Sequence, residues 1–108
     1  MDANLPAPIA AYVDANARLD AEAMLAAFSP NAVVRDDGGR HEGREEIKAW
    51  IQGATIDNRA VFSPDAWSEQ DGCVVVNGLT TGEFSGSPIR FTVRFKLDDG
   101  AIAALEIA

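Results

Sequence analysis

The sequence is poor in the residue types that most metal sites and disulfides require. It contains one cysteine, Cys73, and one histidine, His41. A single cysteine can form neither an intramolecular disulfide nor a thiolate metal cluster, and one histidine without a second His or Cys argues against a zinc site. A Gly-rich phosphate-binding loop is also missing. We therefore expect a protein that works without a metal or another cofactor.

Positive charge and long apolar runs are scarce as well. Nine Lys and Arg residues stand against seventeen Asp and Glu residues, which gives a net charge of -8. Such a surface repels a phosphate backbone, so we expect no nucleic acid partner. There is no run of about 18 apolar residues for a membrane span, and no basic segment followed by an apolar one for a signal peptide. The expected protein is cytoplasmic and has no membrane partner.

The apolar content that is present is enough for one folded domain. The chain has 108 residues, of which 47% are hydrophobic. This size suits a single domain over residues 1–108, with a substantial core and no room for a second domain. The sequence contains no repeat, linker or low-complexity segment that would divide it.

Apolar residues at helical spacing predict two helices near the N-terminus. The first begins near Pro8, which suits the first turn of a helix, and ends near Leu19. Asp20 is a suitable N-cap for a second helix over residues 21–28. Pro30 ends that helix, because the residue before a proline avoids helical backbone angles.

A third helix is predicted after the glycine turn that follows residue 36. It begins at Gly43, and its first turn contains acidic residues that the helix dipole favours. Its buried face contains Ile47, Trp50 and Ile51. Gly53 is a plausible end for this helix.

Alternating apolar and polar residues predict strands, mostly in the second half of the chain. The predicted strands cover residues 32–35, 40–42, 55–68, 73–85, 89–97 and 101–107. Gly78 and Gly82 favour bends that would curl the sheet. Helices on one side of an antiparallel sheet give an α+β fold, and a curled sheet closed by helices leaves a concave face that can form a pocket.

Three stretches of the sequence resemble a known family. They are LDAEAMLAAFSPNAVVRD, the H-x-G-R-E-E-I start of the third helix, and the tail TGEFSGSPIRFTVRFKLDDGAIAALEIA. Together they are similar to the NTF2-like superfamily, in its SnoaL-like and ketosteroid-isomerase-like branch. The resemblance implies an NTF2-like (cystatin-like) cone, in which three N-terminal helices pack on a curved, mixed, mostly antiparallel sheet. It also implies a homodimer formed through the sheet.

The resemblance does not specify a reaction, because the superfamily includes isomerases, cyclases, epoxide hydrolases, dehydratases and proteins with no known reaction. It does indicate a candidate general base. Asp36 ends a predicted strand beside Val33 and Val34, where an apolar setting could tune it for proton transfer. VVRD resembles the segment that carries the proton-shuttling aspartate of ketosteroid isomerase. Alternatively, Asp36 simply opens the Asp-Asp-Gly-Gly turn and faces water.

Tyr12 is the second candidate catalytic residue. It shares a predicted helix face with Ile9 and Val13, so its ring should be buried. The resemblance places it near the isomerase's oxyanion-donating tyrosine, which acts together with a protonated aspartate. The alternative is a core tyrosine bonded to a carbonyl group. The second acid of the isomerase has no counterpart here, because residues 84–97 contain no carboxylic acid.

Other polar residues leave alternatives open. Asn77, Thr81 and Glu83 share one face of a predicted strand, and the glycines on that strand could turn this face toward the pocket or toward solvent. His41 could pair with Asp36 or be exposed. The predicted lining of an apolar pocket comprises Phe28, Val34, Trp50, Phe91, Val93 and Phe95.

Three functions follow from these features. The first is a cofactor-independent enzyme that transfers a proton on a small hydrophobic molecule, with Asp36 as base and Tyr12 as donor. The second is a non-catalytic protein that binds such a molecule. The third is a dimerisation domain whose cavity is filled by its own aromatic side chains, especially Trp50, Phe91 and Phe95.

Overall fold

The helices come early in the chain and stand on one side of the sheet. The computed structural model describes residues 5–36 and 38–107. Its three α-helices are α1 (Ala7–Ala17), α2 (Ala21–Ala26) and α3 (Gly43–Trp50). Pro8 lies in the first turn of α1, as predicted. The Asp20 carboxylate caps α2 by accepting a hydrogen bond of 3.1 Å from the backbone N–H of Ala23.

Six strands form one curved mixed sheet in the described part of the chain. They are β1 (Phe28–Asp36), β2 (Gly39–Glu42), β3 (Val61–Gln70), β4 (Cys73–Thr81), β5 (Ile89–Asp98) and β6 (Ala101–Ile107). Their order across the sheet is β2-β1-β6-β5-β4-β3. The β1–β6 pair is parallel, and the other neighbouring pairs are antiparallel. The α+β prediction with a mixed, mostly antiparallel sheet is confirmed.

A π-helical segment, Ile51–Ile56, adds to the three predicted helices in the described part of the chain. The helical backbone continues from α3 into this segment and does not end at Gly53. The wide turn is closed by a bond of 2.9 Å from the Asp57 N–H to the Gln52 carbonyl. Ile51 and Thr55 are buried on the inner side of this segment. Their burial offsets the helix penalty of a glycine, about 1 kcal/mol.

The first strand is longer than predicted, and two later strands are displaced. β1 starts at Phe28, which pairs with Ile102 before the register shifts ahead of Val33. The residues between Phe28 and Val33 include Pro30. Its missing N–H breaks no hydrogen bond to β6, because the pairing of the two strands is interrupted there. β3 begins only at Val61, because the preceding residues are π-helical or form a turn. β4 ends at Thr81, short of the predicted residue 85.

A bulge lies at one edge of the sheet, where β3 pairs with β4. The bulge is on β3, between Pro64 and Ala66, and Gly78 of β4 lies opposite it. A Cβ atom on Gly78 would lie 2.8 Å from the Pro64 Cα and would also collide with the Ser63 carbonyl oxygen. The glycine is therefore needed for close approach of the two strands. The second predicted bend, at Gly82, lies beyond the end of β4.

The core lies between the helices and the inner face of the sheet. Alternation on β5 is confirmed, since Phe95 and Val93 are buried while Arg94 and Lys96 are exposed. The largest fully buried side chains are Phe28, Phe95, Ile9, Met24, Ile47, Ile51, Ile102 and Leu105. Among the described residues, no helix is both long enough and apolar enough to cross a bilayer.

Candidate functional site

The helices and the concave face of the sheet enclose a cavity of about 280 Å³. Most of its wall is apolar and comes from the inner face of the sheet and from the segment around the π-helical turn. The lining residues are Tyr12, Asn16, Asp36, Trp50, Ala54, Thr55, Asn58, Ala60, Phe62, Thr80, Phe84, Ile89, Phe91, Val93, Phe95, Leu105 and Ile107. The cavity is open rather than filled by its own aromatic residues.

Asp36 is the acidic residue in this lining. It is the last residue of β1, and it follows the inward-facing Val34 by two positions, so its side chain is on the inner face. It is partly buried. The indole N–H of Trp50 donates a hydrogen bond of 3.0 Å to its Oδ2 atom. The carboxylate is therefore held inside the fold rather than free in the turn.

Tyr12 lies in the wall formed by α1. It is 7% exposed, and its ring makes edge-to-face contacts with Phe28 and Phe95, at centroid distances of 5.6 Å and 5.9 Å. Burial raises the pKa of the Tyr12 phenol well above its usual range, and the negative charge of Asp36 raises it further. The phenol is therefore neutral and able to donate a hydrogen bond across the physiological range.

The Tyr12 hydroxyl is open to the cavity. Within residues 5–36 and 38–107 the hydroxyl makes no hydrogen bond to the protein. Since no fully buried side-chain N or O atom in these residues lacks a hydrogen-bond partner, the Tyr12 oxygen is not fully buried. A phenol in a mostly apolar wall without a protein partner is available to a ligand oxygen. Tyr12 and Asp36 thus present a donor and an acceptor to the same space.

Three buried polar residues at the cavity were not singled out from the sequence: Asn16, Thr55 and Thr80. Asn16 lies seven positions after Ile9 on the buried face of α1, and this spacing is the signal that could have identified it. Its Nδ2 atom donates to the Ala60 carbonyl at 2.9 Å, and its Oδ1 atom accepts from the Phe62 N–H at 2.7 Å. Asn16 therefore fixes the start of β3 against α1.

The open question about the face of β4 has a clear structural answer. Asn77 points to the outer side of the sheet, where its Oδ1 accepts a hydrogen bond of 2.7 Å from the Thr92 hydroxyl. Thr81 is exposed, and Glu83 lies past the strand, 3.6 Å from Arg59 in an exposed ion pair. Thr80 takes the inward position instead. The inward face of β4 is the even-numbered one, because its residues lie opposite the cavity-lining Phe91, Val93 and Phe95 of β5.

His41 packs against Trp50 and does not pair with Asp36. Its ring centroid lies 6.2 Å from that of the indole, with the planes inclined by 34°. It lies across from Val34 in the β1–β2 ladder. No hydrogen bond joins His41 to Asp36 in the described part of the chain. Among the same residues, no three His, Cys, Asp or Glu side chains are grouped so that they could hold a metal ion.

The residues predicted to line a pocket divide into two groups. Trp50, Phe91, Val93 and Phe95 line the cavity. Phe28 and Val34 are 1% and 0% exposed and do not line it. They lie one layer deeper, since the ring of Tyr12 covers Phe28, and Val34 lies in the core beneath the helices.

The charges around the cavity are unevenly placed. Among the described residues that line it there is no Lys, Arg or His. Asp36 also borders a separate surface groove of about 240 Å³, together with Arg35, Arg40 and Glu106. Asp36 therefore lies in the wall between the apolar cavity and a charged outer groove. The fold and this wall define a small α+β cone with an internal apolar cavity and, among the described lining residues, one carboxylate.

Comparison with known proteins identifies the family. A model of the SnoaL-like domain matches residues 9–105. A candidate polyketide cyclase from Sinorhizobium meliloti is 34% identical, with 100% of this chain and 99% of that chain covered and a TM-score of 0.92. The chain therefore belongs to the SnoaL-like family, within the NTF2-like fold. No curated protein matches the chain significantly.

More distant structures share the fold. TerC, co-crystallised with polyporic acid, is 19% identical, with a TM-score of 0.80 over 94% of this chain and 88% of that chain. A Mycobacterium tuberculosis protein in complex with estradiol-17β-hemisuccinate is 16% identical, with a TM-score of 0.79 over 94% of this chain and 89% of that chain. At these identities the similarity concerns the architecture alone.

Proposed function

We propose that this protein is a cofactor-independent enzyme that transfers a proton on a small, neutral, hydrophobic carbonyl compound. Asp36 is the general base, and Tyr12 is the hydrogen-bond donor to the substrate oxygen. The observation that carries the proposal is the placement of this carboxylate and this un-ionised phenol in the wall of one apolar cavity. The SnoaL-like family and its candidate polyketide cyclase from Sinorhizobium meliloti agree with such chemistry.

The proposed reaction begins with removal of a proton from a carbon next to the carbonyl group. A free Asp36 oxygen takes the proton, and the electron pair moves to the carbonyl oxygen as an enolate. The Tyr12 hydroxyl stabilises that oxygen, because its hydrogen bond strengthens as negative charge develops. Return of the proton from Asp36 to a carbon of the substrate completes the cycle. No external reductant, oxidant or metal is consumed.

The cavity supports a ligand of limited size and no charge. Its volume of about 280 Å³ equals that of about nine water molecules at roughly 30 Å³ each. Sites for drug-sized ligands span about 300–1,000 Å³. We therefore propose a ligand with one or two rings rather than a four-ring steroid. With a carboxylate and no cation among the described lining residues, an anionic ligand would be repelled.

A non-catalytic binding protein is the second candidate, and one observation favours it. The inner face of β5 presents Val93, while the neighbouring Thr92 points outward and is bonded to Asn77. Tyr12 is thus left without a second acidic donor from this strand. Loss of one such donor costs on the order of a hundredfold or more in rate. A protein of this kind would bind the same ligands without converting them.

Hydrogen–deuterium exchange separates the two candidates even while the natural substrate is unidentified. A panel of neutral ketones with one or two rings is incubated with the protein in heavy water, and loss of the proton signals next to the carbonyl is followed by NMR. The enzyme accelerates exchange for those ketones that bind. Binding without acceleration for any bound ketone would reject the proton-transfer function and leave the binding protein.

We also propose that the protein forms a homodimer through the outer face of the sheet. An open groove of about 690 Å³ crosses β1, β6 and β5 there. Leu79, on the outer face of β4 opposite Arg90, is a large apolar residue that is 40% exposed. Light scattering coupled to gel filtration should give twice the chain mass of 11.5 kDa. A single-chain mass at high micromolar concentration would reject the dimer.

A further inference from the structure

The contact between Trp50 and Asp36 has a specific direction. An indole N–H can only donate a hydrogen bond, and the Trp50 group donates it to one carboxylate oxygen, Oδ2, at 3.0 Å. The second oxygen of Asp36 is not engaged by Trp50. Since Asp36 lines the cavity, that second oxygen is the one left for a ligand.

The position of the indole is itself fixed by packing. Trp50 is 7% exposed and ends α3, whose neighbouring side chains Ile47 and Ile51 are fully buried. His41 of β2 lies against the indole ring on a different element. A side chain held in this way can serve as a rigid donor, because packing from two elements restricts its rotamer.

We propose that Trp50 is a positioning residue for Asp36. Its N–H fixes the orientation of the carboxylate, so that the free oxygen faces the cavity. This role deepens the proposed function and depends on it for its catalytic meaning. The geometric part of the inference can be tested without any substrate.

Other charged or titratable groups near Asp36 come from several elements. Tyr12 reaches the cavity from α1, and His41 of β2 contacts the indole. Arg35, Arg40 and Glu106 border the outer groove on the other side of Asp36. All of these remain when Trp50 is replaced by phenylalanine, which removes the donor and retains an aromatic ring. A changed response in this variant is therefore due to the missing N–H.

Trp67 provides a matched control. It is the second of the two tryptophans in the sequence, and it lies partly buried on β3. It does not line the cavity, and its indole makes no hydrogen bond among the described residues. Trp67→Phe removes the same chemical group as Trp50→Phe at a site without a carboxylate partner.

The first measurement follows the two indole N–H signals by ¹⁵N–¹H NMR at one pH in the wild type, Asp36→Ala and Asp71→Ala. The expected result is that the Trp50 signal moves in Asp36→Ala, which removes the acceptor, and keeps its position in Asp71→Ala, while the Trp67 signal stays constant in both. A Trp50 signal that keeps its wild-type position in Asp36→Ala would overturn the proposal. This test needs no ligand and remains valid even if Trp50→Phe does not fold.

The second measurement uses ketone exchange in the folded variants. Because the carboxylate loses the donor that orients it, kcat in Trp50→Phe should fall about tenfold with KM nearly unchanged. Trp67→Phe should retain the wild-type kcat and KM. Equal kcat values for the two variants would overturn the proposal, whereas absence of exchange in the wild type rejects the proposed function and leaves the indole result standing.

Discussion

Replacement of Asn16 by alanine should destabilise the fold more than its single polar side chain suggests. Asn16 is 4% exposed and bonds two backbone groups at the entrance to β3. It donates to the Ala60 carbonyl at 2.9 Å and accepts from the Phe62 N–H at 2.7 Å. Asn16→Ala leaves both groups without their partner, because alanine has no polar atom to offer.

The expected magnitude follows from the number of orphaned groups. A buried donor or acceptor left without a partner costs about 1–3 kcal/mol. Two such groups give a loss of about 2–6 kcal/mol in the free energy of unfolding, less whatever water in the adjacent cavity restores. The loss is large relative to the ~5–15 kcal/mol that stabilises a typical domain.

Urea denaturation measures this loss directly, with the slope of the unfolding free energy as a check that the unfolded state is unchanged. Asn77→Ala is the matched control. Asn77 is on the outer face and bonds the Thr92 side chain rather than the backbone, so its removal should cost less than about 1 kcal/mol. If Asn16→Ala lowers the free energy of unfolding by no more than Asn77→Ala does, Asn16 does not fix the start of β3 against α1.

Three further predictions concern single residues. Tyr12 is the one tyrosine in the sequence, so tyrosinate absorbance reports it alone. Because the pKa of Tyr12 is raised in the folded protein, the native state keeps a proton that the unfolded state loses above about pH 10. The stability of the fold should therefore fall above that pH. Tyrosinate absorbance near pH 10 in the folded protein would contradict this. Tyr12→Phe should slow ketone exchange about a hundredfold with the fold retained, and an unchanged rate would exclude its role as donor. Gly78→Ala should lower the free energy of unfolding, measured by urea denaturation, by about 1–3 kcal/mol, because the new Cβ collides with the β3 backbone. Gly53→Ala is the control and should not destabilise the fold, because the space around Gly53 is open. Equal effects would argue against a close approach of β3 and β4 at Gly78.

Much of the fold is encoded in local patterns that can be read along the chain. Asp20 caps α2 because an aspartate before an apolar helix satisfies a free N–H, and the alternation on β5 separates inner from outer side chains. The π-helical turn was not predictable in this way. Gly53 signals a helix end locally, but burial of Ile51 and Thr55 by distant parts of the chain keeps the backbone helical.

The candidate site was predictable only in part, because its composition depends on contacts between strands. β4 pairs in unbroken register with the inward-facing residues of β5, so Thr80 rather than Asn77 faces the cavity. Asp36 was identified from its place at a strand end, but its hydrogen bond with Trp50 joins two elements fourteen residues apart. No pattern along either element specifies that pair.

The rate of hydrogen–deuterium exchange of a bound neutral ketone in Asp36→Asn tests the central claim most directly. The variant replaces one carboxylate oxygen by an NH₂ group and keeps the shape of the side chain. Asp71→Asn is the control, since Asp71 is exposed in a turn away from the cavity. If Asp36 is the base, Asp36→Asn should lose about a hundredfold or more of the exchange rate while still binding the ketone. Exchange at the wild-type and Asp71→Asn rate would show that Asp36 does not remove the proton.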